Sequence, residues 1–118
     1  MNAILKKYRI GKDEYLVYDT TVNTEKVDER LIRTFCTQNF GLSTSAILVG
    51  PLSGEHGLEM KAFSFEGREL PLKDNLLTLA SFLLSHVDDN THPEEDLPVQ
   101  YLGKVYCYLA FANRTHAA

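Results

Sequence analysis

An α+β domain is predicted by three features of this sequence. Short β-prone runs are bracketed by turn residues, two stretches show helical spacing of apolar side chains, and the 118-residue length suits one core. The expected order is ββαββαββ, with a curved, mostly antiparallel sheet around a buried second helix. Such a chain buries roughly two thirds of the surface its unfolded form exposes, without needing disulfides or metals. One domain over residues 1–111 is expected, followed by a frayed tail over residues 112–118.

The first strand is expected over residues 3–10, apolar at Ile4, Leu5, Tyr8 and Ile10. Gly11, Lys12, Asp13 and Glu14 form a tight turn before the β-rich Tyr15, Leu16, Val17 and Tyr18. Over residues 24–39 the spacing changes, and Val27, Leu31, Ile32 and Phe35 recur every three or four positions, which predicts an amphipathic helix. Thr24 is its expected cap, Glu25, Asp28 and Glu29 suit the positive end of its dipole, and Gly41 supplies the stop.

Residues 45–49 read as a short strand, residues 50–54 as a turn, and residues 58–65 as the second arm of a hairpin. In that arm Leu58, Met60 and Ala62 alternate with Glu59 and Lys61. Another turn falls at Glu66, Gly67 and Arg68. Residues 74–86 then carry Leu76, Leu77, Leu79, Ala80, Phe82, Leu83 and Leu84, relieved only by Thr78, Ser81 and Ser85. A helix apolar on almost every side belongs in the middle of a fold. The acidic residues 87–98, with Pro93 and Pro98, read as an exposed loop, and two last strands are expected over residues 99–102 and 104–111.

Composition narrows the function classes. An apolar fraction of 44% with 24% charged residues describes an ordinary globular protein. The net charge is −4, and basic residues are scattered apart from Lys6, Lys7 and Arg9, so a nucleic-acid partner is not expected. Cys36 and Cys107 form no CxxC pair, which disfavours zinc and thioredoxin-type sites and suits a reduced cytoplasmic setting. There is no run of about 18 apolar residues, and the first charges follow the short apolar stretch, the reverse of a signal peptide. Neither membrane association nor secretion is therefore expected. His56, His86, His92 and His116 are far apart with no partner at ligand spacing, so no metal site is expected.

Three stretches carry a family resemblance: KYRIGKDEYLVYD at residues 7–19, IRTFCTQNFGL at 32–42, and FSFEGRE at 63–69. In order and spacing they resemble the N-terminal lobe of the diaminopimelate epimerase family, over about the first 85 residues. Cys36 to Leu42 is similar to the family's Cys-x-x-x-Phe-Gly-Ile segment, and Phe63 to Glu69 to its Phe-x-x-acid-Gly-x-Glu turn. The resemblance implies a lobe that faces a second, similar lobe. In such a pair a cysteine from each lobe moves the α-proton of an amino acid, without pyridoxal phosphate and so with no cofactor.

Carried over residue by residue, the first lobe's nucleophilic cysteine falls on Lys73, and the following Gly-Asn-Gly on Asp74, Asn75 and Leu76. The substrate-contacting asparagine of the first turn falls on Asp13, and the Gly-Ala-Asp after the first helix on Ser43, Thr44 and Ser45. Asn75 alone keeps the family's residue. The glycines matter because backbone N–H groups at the helix start hold the substrate carboxylate, where a side chain obstructs approach and an aspartate repels. The chain also stops where a second lobe would begin, so a second cysteine would have to come from another polypeptide.

These substitutions lead to the expectation of a non-catalytic binding or subunit-interaction module. It would associate with itself or with a separate second lobe, and the ligand implied by the resemblance is an amino acid. The alternative is a pyridoxal-phosphate-independent racemase or epimerase, assembled by dimerisation or with a second lobe, that uses Lys73 as a base. A third reading is a piece of a longer racemase. For Lys73 and Asp74 the simpler expectation is a solvated lysine ahead of a capping aspartate. For Cys36 and Cys107 it is buried structural thiols, for His86 a partner of its helix dipole, and for Tyr101, Tyr106, Tyr108 and Phe111 packing on a sheet face.

Overall fold

Residues 15–18 and 46–49 are apolar or aromatic at every position because the sheet they build is covered on both faces, as the burial of all eight shows. The computed structural model describes residues 2–37, 44–64, 66–86 and 98–108, and of residues 2, 36, 37, 44, 107 and 108 the backbone alone. In chain order the elements are β1 (Asn2–Ile10), β2 (Asp13–Asp19), α1 (Glu29–Thr37), β3 (Thr44–Gly54), β4 (Gly57–Phe63), β5 (Glu69–Leu70), α2 (Asn75–Ser85) and β6 (Val99–Tyr108). They form one six-stranded sheet in the order β5-β4-β3-β2-β1-β6. Four of its pairings are antiparallel, while β2 and β3 run parallel with α1 in the connection between them.

Strand alternation sorts the core into two clusters, one on each face. Ala3, Leu5, Leu16, Tyr18, Ile47 and Val49 pack against Leu31, Ile32 and Phe35 of α1. Tyr8, Ile10, Tyr15, Val17, Ala46, Leu48, Met60 and Ala62 pack against Leu79 and Ala80 of α2. The sheet thus carries one helix on each face. Among the described residues, no helix is long and apolar enough to cross a membrane.

The α+β class holds, and the elements differ from expectation in definite ways. The first helix begins at Glu29 rather than residue 24. Asp28 caps it, accepting the Leu31 N–H at 2.9 Å, while Thr24 lies outside it. Residues 20–28 are instead spent on a tethered connection. In it Asn23 bonds both backbone groups of Ile4, and the Tyr18 hydroxyl donates to Glu25 O at 2.6 Å.

The expected turn at residues 50–54 is part of β3. The strand passes through a cis Gly50–Pro51 peptide, and its pairing with β4 shifts between Val49 and Leu52, a bulge that accommodates a proline with no N–H to give the ladder. The turn proper is at Glu55 and His56. In the same way Gly103, at φ 119, does not divide the last strand: β6 is continuous, and its register against β1 shifts between Lys7 and Tyr8. The two-residue β5 was not anticipated.

The second helix is not enclosed by the sheet. Only Leu79 and Ala80 of α2 are fully buried, and Leu77 is 50% exposed. The helix lies along one face, so its apolar residues divide between the sheet and outward positions. Tyr106 is likewise exposed, while Tyr101, half exposed, packs its ring against Tyr8 on the neighbouring strand. The Cys36, Cys107 and Tyr108 side chains, Phe111, the 87–97 part of the acidic loop, His92, His116, Ser43 and the 112–118 tail lie outside the described residues.

Candidate functional site

At the entrance of α2 the structure brings two of the four sequence-derived candidates together. Gly11, at φ 61, and Lys12 make a two-residue turn, so that Ile10 pairs with Asp13 and the Asp13 carboxylate stands at the mouth of the helix. There Asn75 Nδ2 donates to Asp13 Oδ2 at 3.2 Å. Lys73 and Asp74 flank this contact but do not join it. Lys73 is exposed, and its side chain makes no ion pair among the described residues.

Asp74 does occupy the N-cap position, but its side chain makes no capping hydrogen bond. Its backbone sits at φ 54, ψ −129, a conformation suited to glycine. Asp74 O nevertheless accepts from the Thr78 N–H and hydroxyl at 3.0 and 3.2 Å. The expected aspartate cap is therefore a backbone cap under strain.

A second polar group lies toward the other end of α2, on the same face of the sheet, in an open cleft of about 390 Å3. Lys6 and Asp19 line it, joined by an ion pair of 2.7 Å and only partly exposed. Asp19 is well held: Oδ2 accepts from Lys6, and Oδ1 accepts from the Thr21 N–H at 2.9 Å and the Thr21 hydroxyl at 2.6 Å. Burial pushes the Asp19 carboxyl up, but the hydrogen bonds from Lys6 and Thr21 and the Lys6 charge outweigh it, leaving the pKa below 3.8.

A depressed folded-state pKa adds stability that is present above 3.8 and lost as pH falls through the folded value. Asp19→Asn is expected to lower the urea midpoint at neutral pH and to flatten its decline below pH 3.8. Urea unfolding of both proteins across that window checks this, and parallel declines would contradict it.

Aromatic rings form one wall of the cleft. Tyr101 lies 5.1 Å from Tyr8, Tyr8 meets Phe82 edge-on at 6.3 Å, and Phe82 lies 4.5 Å from His86. Burial, with smaller contributions from Tyr101 and Asp19, pushes the Tyr8 hydroxyl up to about 12, so it remains a proton donor at neutral pH. His86 sits at the C-cap of α2 with Nδ1 2.7 Å from Phe82 O, the dipole-partner position expected for it.

Of these cleft residues the sequence singled out Tyr101 and His86, for packing and for the helix dipole, but not the pairing of Lys6 with Asp19. The signal was present, because a two-residue turn at Gly11 and Lys12 sets Lys6 opposite Val17 and diagonal to Asp19. A four-residue turn would set Lys6 directly opposite Asp19, so either turn leaves the two on one face of the sheet. Among the described residues there is no group of three or more His, Cys, Asp or Glu side chains arranged to hold a metal. Comparison of the chain with protein-family models and with curated protein sequences finds no match.

Proposed function

We propose that this chain is a non-catalytic binding and subunit-interaction module built on a single diaminopimelate-epimerase-like lobe. The observation that carries the reading is the 3.2 Å hydrogen bond from Asn75 to Asp13 at the entrance of α2. The Asp13 carboxylate stands at the helix entrance, near where the resemblance implies a substrate carboxylate, and the Leu76 and Leu77 N–H groups are already given to Lys73 O at 3.1 and 3.4 Å. Lys73 stands exposed beside it, whereas a lysine that serves as a proton-transferring base is desolvated.

The backbone of Asp74 supports the resemblance that underlies this reading, because φ 54 falls at the position where the family has glycine. Association with a second copy or a separate lobe draws support from the exposed apolar side chains Leu77, Tyr101, Leu102 and Tyr106. A reduced cytoplasmic setting completes the proposal.

The test is exchange of α-hydrogen for deuterium in heavy water, followed by proton NMR on amino-acid mixtures that include diaminopimelate. The folded chain is expected to catalyse none. Exchange that disappears in Lys73→Ala would overturn the reading in favour of a lysine-dependent racemase.

A further inference from the structure

The cleft beside Lys6 has more hydrogen-bond donors than acceptors to offer. Lys6 spends one of its three N–H donors on Asp19, while Asp19 has three of about four acceptor positions filled. The Tyr8 hydroxyl has no hydrogen-bond partner among the described residues, and the Tyr101 ring lines the same cleft 5.1 Å from that of Tyr8. An ammonium group would find its natural partner, Asp19, largely occupied, whereas a carboxylate would find unspent donors on Lys6 and Tyr8. Beside these donors stands the ring series from Tyr101 to His86, with Met60 beneath. Flat apolar groups pack well against such a wall.

We infer that this cleft binds a small aromatic carboxylate, its ring against Tyr8 and Phe82 and its carboxylate on Lys6. The site is distinct from the entrance of α2, and the ligand class departs from the α-amino acid implied by the resemblance. The inference rests on the binding-module reading and gives it a location. Asp19 behind Lys6 cancels its long-range field, so recognition is by short hydrogen bonds and ring packing.

Phenylacetate is a suitable probe, with phenylacetamide as its uncharged counterpart. Titrated into the full nitrogen-labelled chain, phenylacetate is expected to give saturable amide shifts centred on Val17 and Gly50, with none at Lys73 to Asn75. Phenylacetamide should bind about tenfold more weakly, as expected from loss of one charge-assisted hydrogen bond. Lys6→Met should weaken phenylacetate by a similar factor, and Lys12→Met, in the exposed first turn, should leave it unchanged. Equal binding of acid and amide in the unmodified chain overturns the inference, as do shifts centred on the α2 entrance or the absence of saturable shifts. Failure in this titration leaves the exchange result untouched, and Lys73-dependent exchange removes the non-catalytic reading without touching the cleft shifts, so the two are separable.

Discussion

Phe35→Ala is expected to lower unfolding stability by about 3–5 kcal/mol, the range for truncating a fully buried phenylalanine. Phe35 has no solvent exposure and stacks on Tyr18 at 5.6 Å with an interplanar angle of 25°. Tyr18 in turn is fixed from both ends. Its ring is wholly buried in β2, and its hydroxyl donates to Glu25 O, so it cannot swing into the space a smaller residue would leave. The cavity therefore stays open, which puts the loss toward the upper part of the range. Domains of this size have about 5–15 kcal/mol in total, so the variant loses a large share of its stability.

Urea unfolding supplies the measurement, read as a lower midpoint at unchanged slope. Phe35→Leu, which keeps most of the volume, should lose about 1 kcal/mol, and the exposed Val22→Ala should stay within about 0.5 kcal/mol of the parent. A Phe35→Ala midpoint no lower than that of Val22→Ala would mean that α1 is not docked on the sheet as described.

What the sequence revealed, and what it hid, follows from the range of each signal. Tyr15 to Tyr18 and Ile47 to Val49 were legible as strands because burial on both faces leaves an unbroken apolar run. Phe35, Leu31 and Ile32 were legible as a helix face because they meet one flat surface at helical spacing. Pro51 misled because a proline after glycine is locally a turn signal, and only the neighbouring strands can absorb it in a bulge. The row of leucines in α2 misled as well: apolarity all round predicts enclosure, but a single chain with one sheet supplies cover for only one side. At the candidate sites, the Asp13 to Asn75 contact spans 62 positions and the Lys6 to Asp19 pair depends on strand register. Neither is a property of any local window, and the first was reached only through family resemblance.

Asp74→Gly is expected to raise stability by about 1 kcal/mol, although glycine normally weakens a helix. The reason is the backbone of Asp74, held at φ 54, ψ −129. A non-glycine residue there carries strain of about 1–3 kcal/mol, which glycine removes. Two losses work against that gain. Glycine adds freedom to the unfolded chain, worth about 0.4–1 kcal/mol, and the carboxylate's interaction with the helix dipole disappears, about 0.3–1 kcal/mol. No side-chain cap is lost, because Asp74 makes none. Asp74→Ala separates these contributions, since it keeps the strained backbone and removes the carboxylate. It should therefore destabilise while Asp74→Gly stabilises. For a chain of this length the gain corresponds to a rise in melting temperature of about 4 °C. Should Asp74→Gly melt no higher than Asp74→Ala, the strained geometry would be wrong, and with it the structural support for placing a family glycine at this position. Opposite signs would show that the helix entrance holds a glycine-type backbone at a residue that carries a carboxylate.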